Sequence, residues 1–307
     1  MVLRVFESIS RLVRGGPRLP RWLGAFLSGA ATSNLPGPRA RFRSATGVAF
    51  YYGKFDAGTH TPWDLAARFA QLVIEPEHGV NPRTLAALGT EPIAYLSVGE
   101  ISANSPMRAQ LGDWMVGENK QWGSIVLDVT QRGYQDYLVK RMAALVDQGY
   151  SGVFLDTLDS YRLGGTSRSE LDQARKSLVA IIRRMARKRP AACIWLNRGF
   201  ELLSEVSTVV HGIVAESLYD RYVAASAEYE RVPADDRIWL LSRLQEAQKA
   251  YQLPIVVIDY RPRSEQTEAL DTARRIAKHG FMPYVTDGNL LTSGIGPAQL
   301  LADADPP

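Results

Sequence analysis

Apolar residues in this chain come in short runs that end on a turn residue or a carboxylate, and longer stretches with helical spacing separate them. From Gly47 onward the runs are Val48–Tyr52, Leu72–Glu75, Ile93–Val98, Gly152–Asp156, Cys193–Asn197, Gly212–Glu216, Pro254–Asp259 and Pro283–Asp287. Runs of this length bounded by turn signals are strands buried on both faces, the kind found in parallel sheets. Gln131–Gln148 carries Tyr134, Leu138, Met142, Leu145 and Val146 at helical spacing and stops at Gly149, a C-cap residue. Ser169–Lys188 and Arg237–Tyr251 follow the same pattern. Eight strands alternating with helices predict an α/β fold, a (β/α)8 TIM barrel in a single domain. A ninth run, Ser124–Val129, would break the eightfold closure and is assigned to an accessory strand in a loop. The non-periodic connection Ile101–Gly123 carries Trp114, Met115 and Trp122 and is expected to shape a binding cleft at the C-terminal face.

Five of these runs finish on an acid, Glu75, Asp156, Glu216, Asp259 and Asp287, and the third, extended as IAYLSVGE, reaches a sixth, Glu100. The C-terminal strand ends are where a barrel builds its active site, so an acidic pocket is expected there. Overall charge obscures this. The net charge of +4 and the pI near 9.1 average two different segments. Residues 1–46 hold eight Arg, no Lys and one acid, Glu7, which leaves 28 basic against 31 acidic residues from Gly47 to Pro307. The barrel region is therefore acidic, and no nucleic-acid surface is inferred from the pI.

Residues 1–46 form a basic leader, in which Arg residues precede the short apolar stretch WLGAFLSGAA and a Pro/Gly segment. That order predicts an export signal and a periplasmic or secreted protein. A basic tail or an amphipathic surface helix at Val2–Val13 would instead leave it cytoplasmic. No run reaches the roughly 18 apolar residues needed to span a bilayer. Cys193 is the only cysteine, so an intrachain disulfide is excluded.

A ring of acids in a barrel mouth can hold a divalent metal, split glycosidic bonds or bind a cationic ligand. Metal-dependent hydrolysis on this fold recruits His at strand ends, and His60, His78, His211 and His279 lie elsewhere. No strand ends in the Lys or His that an enolase-like magnesium site wants, so no metal or cofactor is expected. The loop Thr292–Gly296 after the last strand could cradle a phosphate, although such Gly-rich turns are common. Glycoside hydrolysis needs two carboxyl groups, one ionised and one protonated. Asp156 and Glu216 end the fourth and sixth strands and can face a common point, which makes them the catalytic candidates. Tyr51, Tyr52, Tyr161, Tyr219 and Tyr260 gather at the same face, where rings stack on sugars and hydroxyls bond sugar oxygens. Asn197 and Arg198 end the fifth strand and can bond a sugar hydroxyl or orient a carboxylate.

The segments AFYYG (Ala49–Gly53), YLSVGE (Tyr95–Glu100), GVFLDTLD (Gly152–Asp159), LNRG (Leu196–Gly199), AESLY (Ala215–Tyr219) and VTDG (Val285–Gly288) resemble glycoside hydrolase family 114 and its relative, family 166. FLDTLD and AES are the specific parts, and the similarity covers nearly everything after the leader. The resemblance implies an endo-acting hydrolase of α-1,4-linked, partly N-acetylated galactosamine polymers on a (β/α)8 barrel. In it, Asp156 matches the family's strand-four aspartate and Glu216 its strand-six glutamate. That implied substrate is polycationic, so Glu75, Glu100, Asp159, Asp259 and Asp287 would line a groove that attracts it. Analogy with other α-glycosidases on this fold implies retention, with Asp156 as nucleophile and Glu216 as acid/base, though the two roles could be exchanged. A carbohydrate-binding barrel without turnover and an exo-acting α-galactosidase-like enzyme are the alternatives. Ending at Pro307, the chain is expected to be a stand-alone hydrolase.

Overall fold

The computed structural model describes residues 47–55, 61–164 and 167–302. The leader assigned to residues 1–46, with its export signal, and His60 lie outside them. Eight strands form one parallel sheet: β1 (Val48–Tyr51), β2 (Gln71–Ile74), β3 (Glu91–Ser97), β4 (Gly152–Asp156), β5 (Cys193–Asn197), β6 (Gly212–Glu216), β7 (Ile255–Tyr260) and β8 (Met282–Thr286). Each pairs in parallel with the next in sequence order. Helices fill the connections, so the (β/α)8 expectation holds, with most strand ends displaced by one or two residues. The helix Arg168–Lys188 starts at a capping box, in which Ser167 accepts from the Glu170 N–H and Glu170 accepts from the Ser167 N–H. Arg132–Gln148 ends at Gly149, whose φ of 117° suits glycine.

The barrel is nearly closed. Among the described residues β8 and β1 share no ladder, because Val285 on β8 exchanges both backbone hydrogen bonds with Ile295 (2.9 and 2.8 Å). The seam is held instead by the Tyr284 hydroxyl donating to the Phe50 carbonyl (3.0 Å) and the Tyr52 N–H donating to the Leu290 carbonyl (3.0 Å).

Residue alternation along each strand decides what enters the barrel. Gln71 on β2 accepts from the Trp195 indole of β5 across the barrel at 2.9 Å, and Phe50 on β1 meets Phe154 on β4 with ring centroids 5.5 Å apart. These contacts fix the inward register, and two residues further along each strand come Tyr52, Asp156 and Asn197.

The run Ser124–Leu127 is the middle strand of a three-stranded antiparallel sheet, flanked by Glu100–Ser102 and Met115–Asn119. It is accessory as expected, but the connection held to be non-periodic contains the strand Met115–Asn119 and most of Glu100–Ser102. Trp114 from that connection packs on Tyr134 and Tyr137 of the helix Arg132–Gln148, at 5.4 and 6.1 Å. Trp122 is 62% exposed. A hairpin of Asp220–Val223 and Glu228–Arg231, which the hydrophobic pattern did not announce, follows β6. Its Tyr222 ring covers Gly288 so closely that a Cβ there would lie 2.1 Å from the ring, and Tyr229 accepts from the Gly288 N–H at 3.0 Å. The hairpin thus reaches over to the loop after β8. No described helix is long and apolar enough to cross a membrane.

Gly212 opens β6 beneath the Trp195 ring, and a Cβ there would stand 2.2 Å from a ring carbon and 2.8 Å from the Pro254 carbonyl oxygen. Trp195 is fully buried and cannot yield easily. Gly212→Ala is expected to destabilise the fold by about 1–3 kcal/mol through overpacking, measured as a lowered midpoint in urea unfolding.

Candidate active site

The strand ends β4, β5 and β6 present Asp156, Asn197 and Glu216 side by side. The Asn197 amide nitrogen donates to Asp156 Oδ1 and to Glu216 Oε1, both at 2.8 Å. Facing two carboxylates, the amide must turn its NH2 toward them, which fixes its orientation. Because both oxygens sit on one nitrogen, they can be no farther apart than twice that distance. The roughly 120° between the two N–H bonds puts them about 5 Å apart.

Each carboxyl has a phenol as well. Tyr95 donates to Asp156 Oδ2 at 2.8 Å, and Tyr260 donates to Glu216 Oε2. The Thr157 N–H completes Asp156 at 2.8 Å. Tyr52 lies against Tyr95, ring centroids 5.1 Å apart. Burial, then the negative charges around them, hold the Tyr52, Tyr95 and Tyr260 phenols well above their ordinary range, so they remain protonated donors. Glu216 is pushed up from its ordinary value by burial first and the Asp156 charge second. Tyr260, Asn197 and Arg198 oppose that rise without cancelling it.

The backbone is shaped to project these groups. Thr157, Arg198 and Ser217 directly follow Asp156, Asn197 and Glu216, and all three have left-handed φ, of 58°, 54° and 64°. Such conformations are costly for residues other than glycine and persist where surrounding bonds hold them. The Thr157 hydroxyl accepts the N–H groups of Gly99 (2.8 Å) and Val98 (3.1 Å). Arg198 is held by its N–H on the Val214 carbonyl (2.8 Å), and Ser217 by its N–H on the Ile258 carbonyl (2.8 Å). The Arg198 guanidinium also donates to the Glu216 carbonyl at 3.2 Å.

Of the residues singled out from sequence, Tyr52, Asp156, Asn197, Arg198, Glu216 and Tyr260 gather here, together with Glu75. Glu75 lies two residues beyond Val73 in the inward register set by Gln71. Its carboxyl is raised to about 7, by burial first and then by Glu77 and Asp156. The other acids lie elsewhere. Glu100 is buried and accepts from Asn119 (2.9 Å), Ser124 and Ser160, tying the accessory sheet to the β4 loop. Asp259 points out of the barrel and accepts the N–H groups of Leu218 (2.6 Å), Tyr219 (2.8 Å) and Asp220 (3.1 Å). Its complete burial raises it to about 8. Asp287 accepts the N–H groups of Asn289 (3.0 Å), Leu291 (3.0 Å) and Thr292 (2.7 Å) and so folds the loop after β8. Asp159 is exposed.

Two aromatics also face away. Tyr51 packs on Phe55 at 5.7 Å, and Tyr219 bonds His279 at 2.6 Å under the Arg275 guanidinium. Tyr161 hydrogen-bonds Glu201 at 3.2 Å. Tyr95, the donor to Asp156, was not among the candidates, although it falls in the YLSVGE segment. Membership of that segment was its one signal, because the apolar pattern of EPIAYLS does not mark it as inward. Among the described residues no three His, Cys, Asp or Glu side chains converge on a metal position.

Splitting a glycosidic bond takes one ionised and one protonated carboxyl on either side of it. Asp156 and Glu216 stand as such a pair, with Glu216 held above its ordinary value, and the chain is a glycoside hydrolase. It belongs to glycoside hydrolase family GH114, whose sequence pattern matches residues 32–301. The glycoside hydrolase domain of PelA from Pseudomonas aeruginosa is 34% identical, with a TM-score of 0.73 over 82% of this chain and 98% of that one. Ega3 of Aspergillus fumigatus, solved in complex with galactosamine, shares the fold at 15% identity and a TM-score of 0.58, over 83% of this chain and 97% of that one. An uncharacterized protein of Methanocaldococcus jannaschii is 22% identical over 222 residues; the match spans 66% of this chain and 62% of that relative's length.

A buried acid held above its ordinary value near 4.5 makes folding dependent on pH. Below the unfolded value both states carry the proton and Glu216 has no effect. As pH rises toward the folded value, the unfolded chain ionises first and stability falls. Glu216→Gln is therefore expected to be more stable than the parent at pH 8 and equal to it at pH 4. The gain is about 1.4 kcal/mol for each pH unit of the upward shift, read from urea unfolding at the two pH values.

Proposed function

We propose that this chain is an endo-acting hydrolase of α-1,4-linked galactosamine and N-acetylgalactosamine exopolysaccharide, working with retention of configuration. The observation that carries the mechanism is the shared amide nitrogen of Asn197, which keeps Asp156 and Glu216 oxygens about 5 Å apart, the spacing of retaining glycosidases. An inverting enzyme needs a wider gap to admit water between carboxyl and sugar.

Asp156, fixed by Tyr95, Asn197 and the Thr157 N–H, attacks the anomeric carbon from the face opposite the leaving group. Glu216, inclined by burial and by Asp156 to keep its proton, gives it to the glycosidic oxygen. A glycosyl ester of Asp156 results, and the leaving chain departs. Glu216, now ionised, takes a proton from water, whose oxygen attacks the same carbon and releases Asp156. Two inversions restore the α configuration. The galactosamine polymer as substrate is supported by membership of family GH114 and by Glu75, the one acid of the expected groove that stands beside Asp156 and suits a cationic chain. The order of basic, apolar and small residues in the leader supports an exported enzyme.

Asp156→Asn and Glu216→Gln are each expected to lower kcat on a partly deacetylated galactosamine polymer by at least about 10³-fold. Oligomers should appear before monosaccharide, and NMR of the first products should show the α anomer. Cleavage by both variants at the parent rate would refute the site. A parent that binds the polymer and never cuts it would be a binding barrel, and monosaccharide as first product would mean an exo-enzyme.

A further inference from the structure

The acids around the mouth are not equivalent. Glu100 is occupied by Asn119, Ser124 and Ser160, Asp259 by three backbone N–H groups, and Asp287 by three more together with the Thr292 hydroxyl. Asp159 is out in solvent, where a carboxylate gives an ammonium little. Glu75 differs from all of them. It starts the short turn Pro76–His78 without capping it, and among the described residues no donor or cation pairs with its carboxyl. It stands in the inward register, near enough for the Asp156 charge to act on it and for its own charge to act on Tyr52 and Tyr95.

We infer that Glu75 is the residue that recognises the free amine of a deacetylated galactosamine unit, in the subsite beside Asp156, and so sets the enzyme's preference for deacetylated over N-acetylated substrate. This rests on the proposed galactosamine-polymer reading. An ammonium supplies the cation that no described residue gives this half-buried carboxyl, and pairing there is strong because the site is shielded from water. An N-acetyl group has no charge to offer and leaves Glu75 buried without a counter-ion.

The groups facing Glu75 are Glu77 on its own turn, Tyr52 from β1, Tyr95 from β3 and Asp156 from β4; Glu216 acts on the same tyrosines. None is cationic. Glu77 is itself paired with Arg141. Free Glu75, at about 7, gains its proton as pH falls through neutrality, so the preference for amine should weaken in that direction. Taken as a ratio between two substrates, kcat/KM cancels the ionisations of Asp156 and Glu216, which both substrates need.

The test compares kcat/KM on fully deacetylated and fully N-acetylated α-1,4-galactosamine oligomers of equal length, from pH 5.5 to 8, for the parent, Glu75→Gln and Glu75→Asp. The parent should favour the deacetylated oligomer, and that preference should fall below pH 7. Glu75→Gln should lower the ratio at least about 10-fold, mostly through KM on the deacetylated oligomer, and remove its pH dependence. Glu75→Asp, which keeps the charge on a shorter arm, should lie between, and it serves if the Gln variant does not fold. A ratio unchanged within twofold, with both oligomers still cleaved, would overturn the role of Glu75 and leave the substrate reading standing. A parent that cleaves neither oligomer would overturn the substrate reading and this role with it.

Discussion

Two carboxyl groups held on one amide nitrogen form the interaction on which the mouth of this barrel depends. At about 5 Å and an effective dielectric near 20, two negative charges repel by about 3 kcal/mol. A hydrogen bond to a charged group returns roughly 1.5–3 kcal/mol. Glu216 has two such bonds, from Asn197 and Tyr260, but it also bears the cost of burial, and the balance leaves it raised. Asp156 has three donors. Burial and the neighbouring Asp156 charge thus incline Glu216 toward its protonated form, and the two carboxyls differ in how each is surrounded. Asn197 separates them without neutralising either, which a lysine in its place would do.

That arrangement requires the chain to leave β4, β5 and β6 sharply enough for the last residue of each to stand free. Three consecutive strands achieve it with a left-handed residue that is not glycine. A β-branched threonine is a poor choice for such a backbone, and the Thr157 hydroxyl accounts for its presence by capping two N–H groups of the neighbouring strand end. The partner position, Gly99, has no room for a side chain, since a Cβ would lie 2.4 Å from the Thr157 carbonyl oxygen. The segments SVGE and FLDT therefore belong to one structural unit.

The barrel was legible in the sequence because its strands are short apolar runs between turn signals, and the pair Asp156 and Glu216 was legible as strand-end acids. Which other strand-end residues enter the mouth was not. An antiparallel strand with one wet face alternates apolar and polar residues and reveals its inward set. Here helices cover the outside, and strands such as IVVIDY are buried at every position, so no alternation distinguishes Asp259 from Tyr260. The register is one residue off for Asp259, Asp287 and Tyr51, and a shift of one carries a side chain to the opposite face. Tyr95 was missed for the same reason, since nothing in EPIAYLS marks its tyrosine as inward.

Strand-end acids are abundant here for two separate physical reasons. The chain turns back at the C-terminal end of each strand, and the loop's N–H groups point to a place with no ladder to receive them. A carboxylate, with two oxygens and about four lone-pair directions, can accept several at once, which neither an amide nor a hydroxyl can match. Asp259 and Asp287 do this one position out of the inward register, and Glu100 does it with side-chain donors. Asp156 and Glu216 stand in register, where the neighbouring groups are phenols and an amide, and where an oxygen lone pair can be turned toward a substrate. One end of the barrel therefore enriches the same residue type for loop closure and for chemistry. The outer set holds the loops that the inner set needs: Asp259 fixes Leu218 and Tyr219 directly after Glu216, and its neighbour Tyr260 holds the Glu216 carboxyl itself.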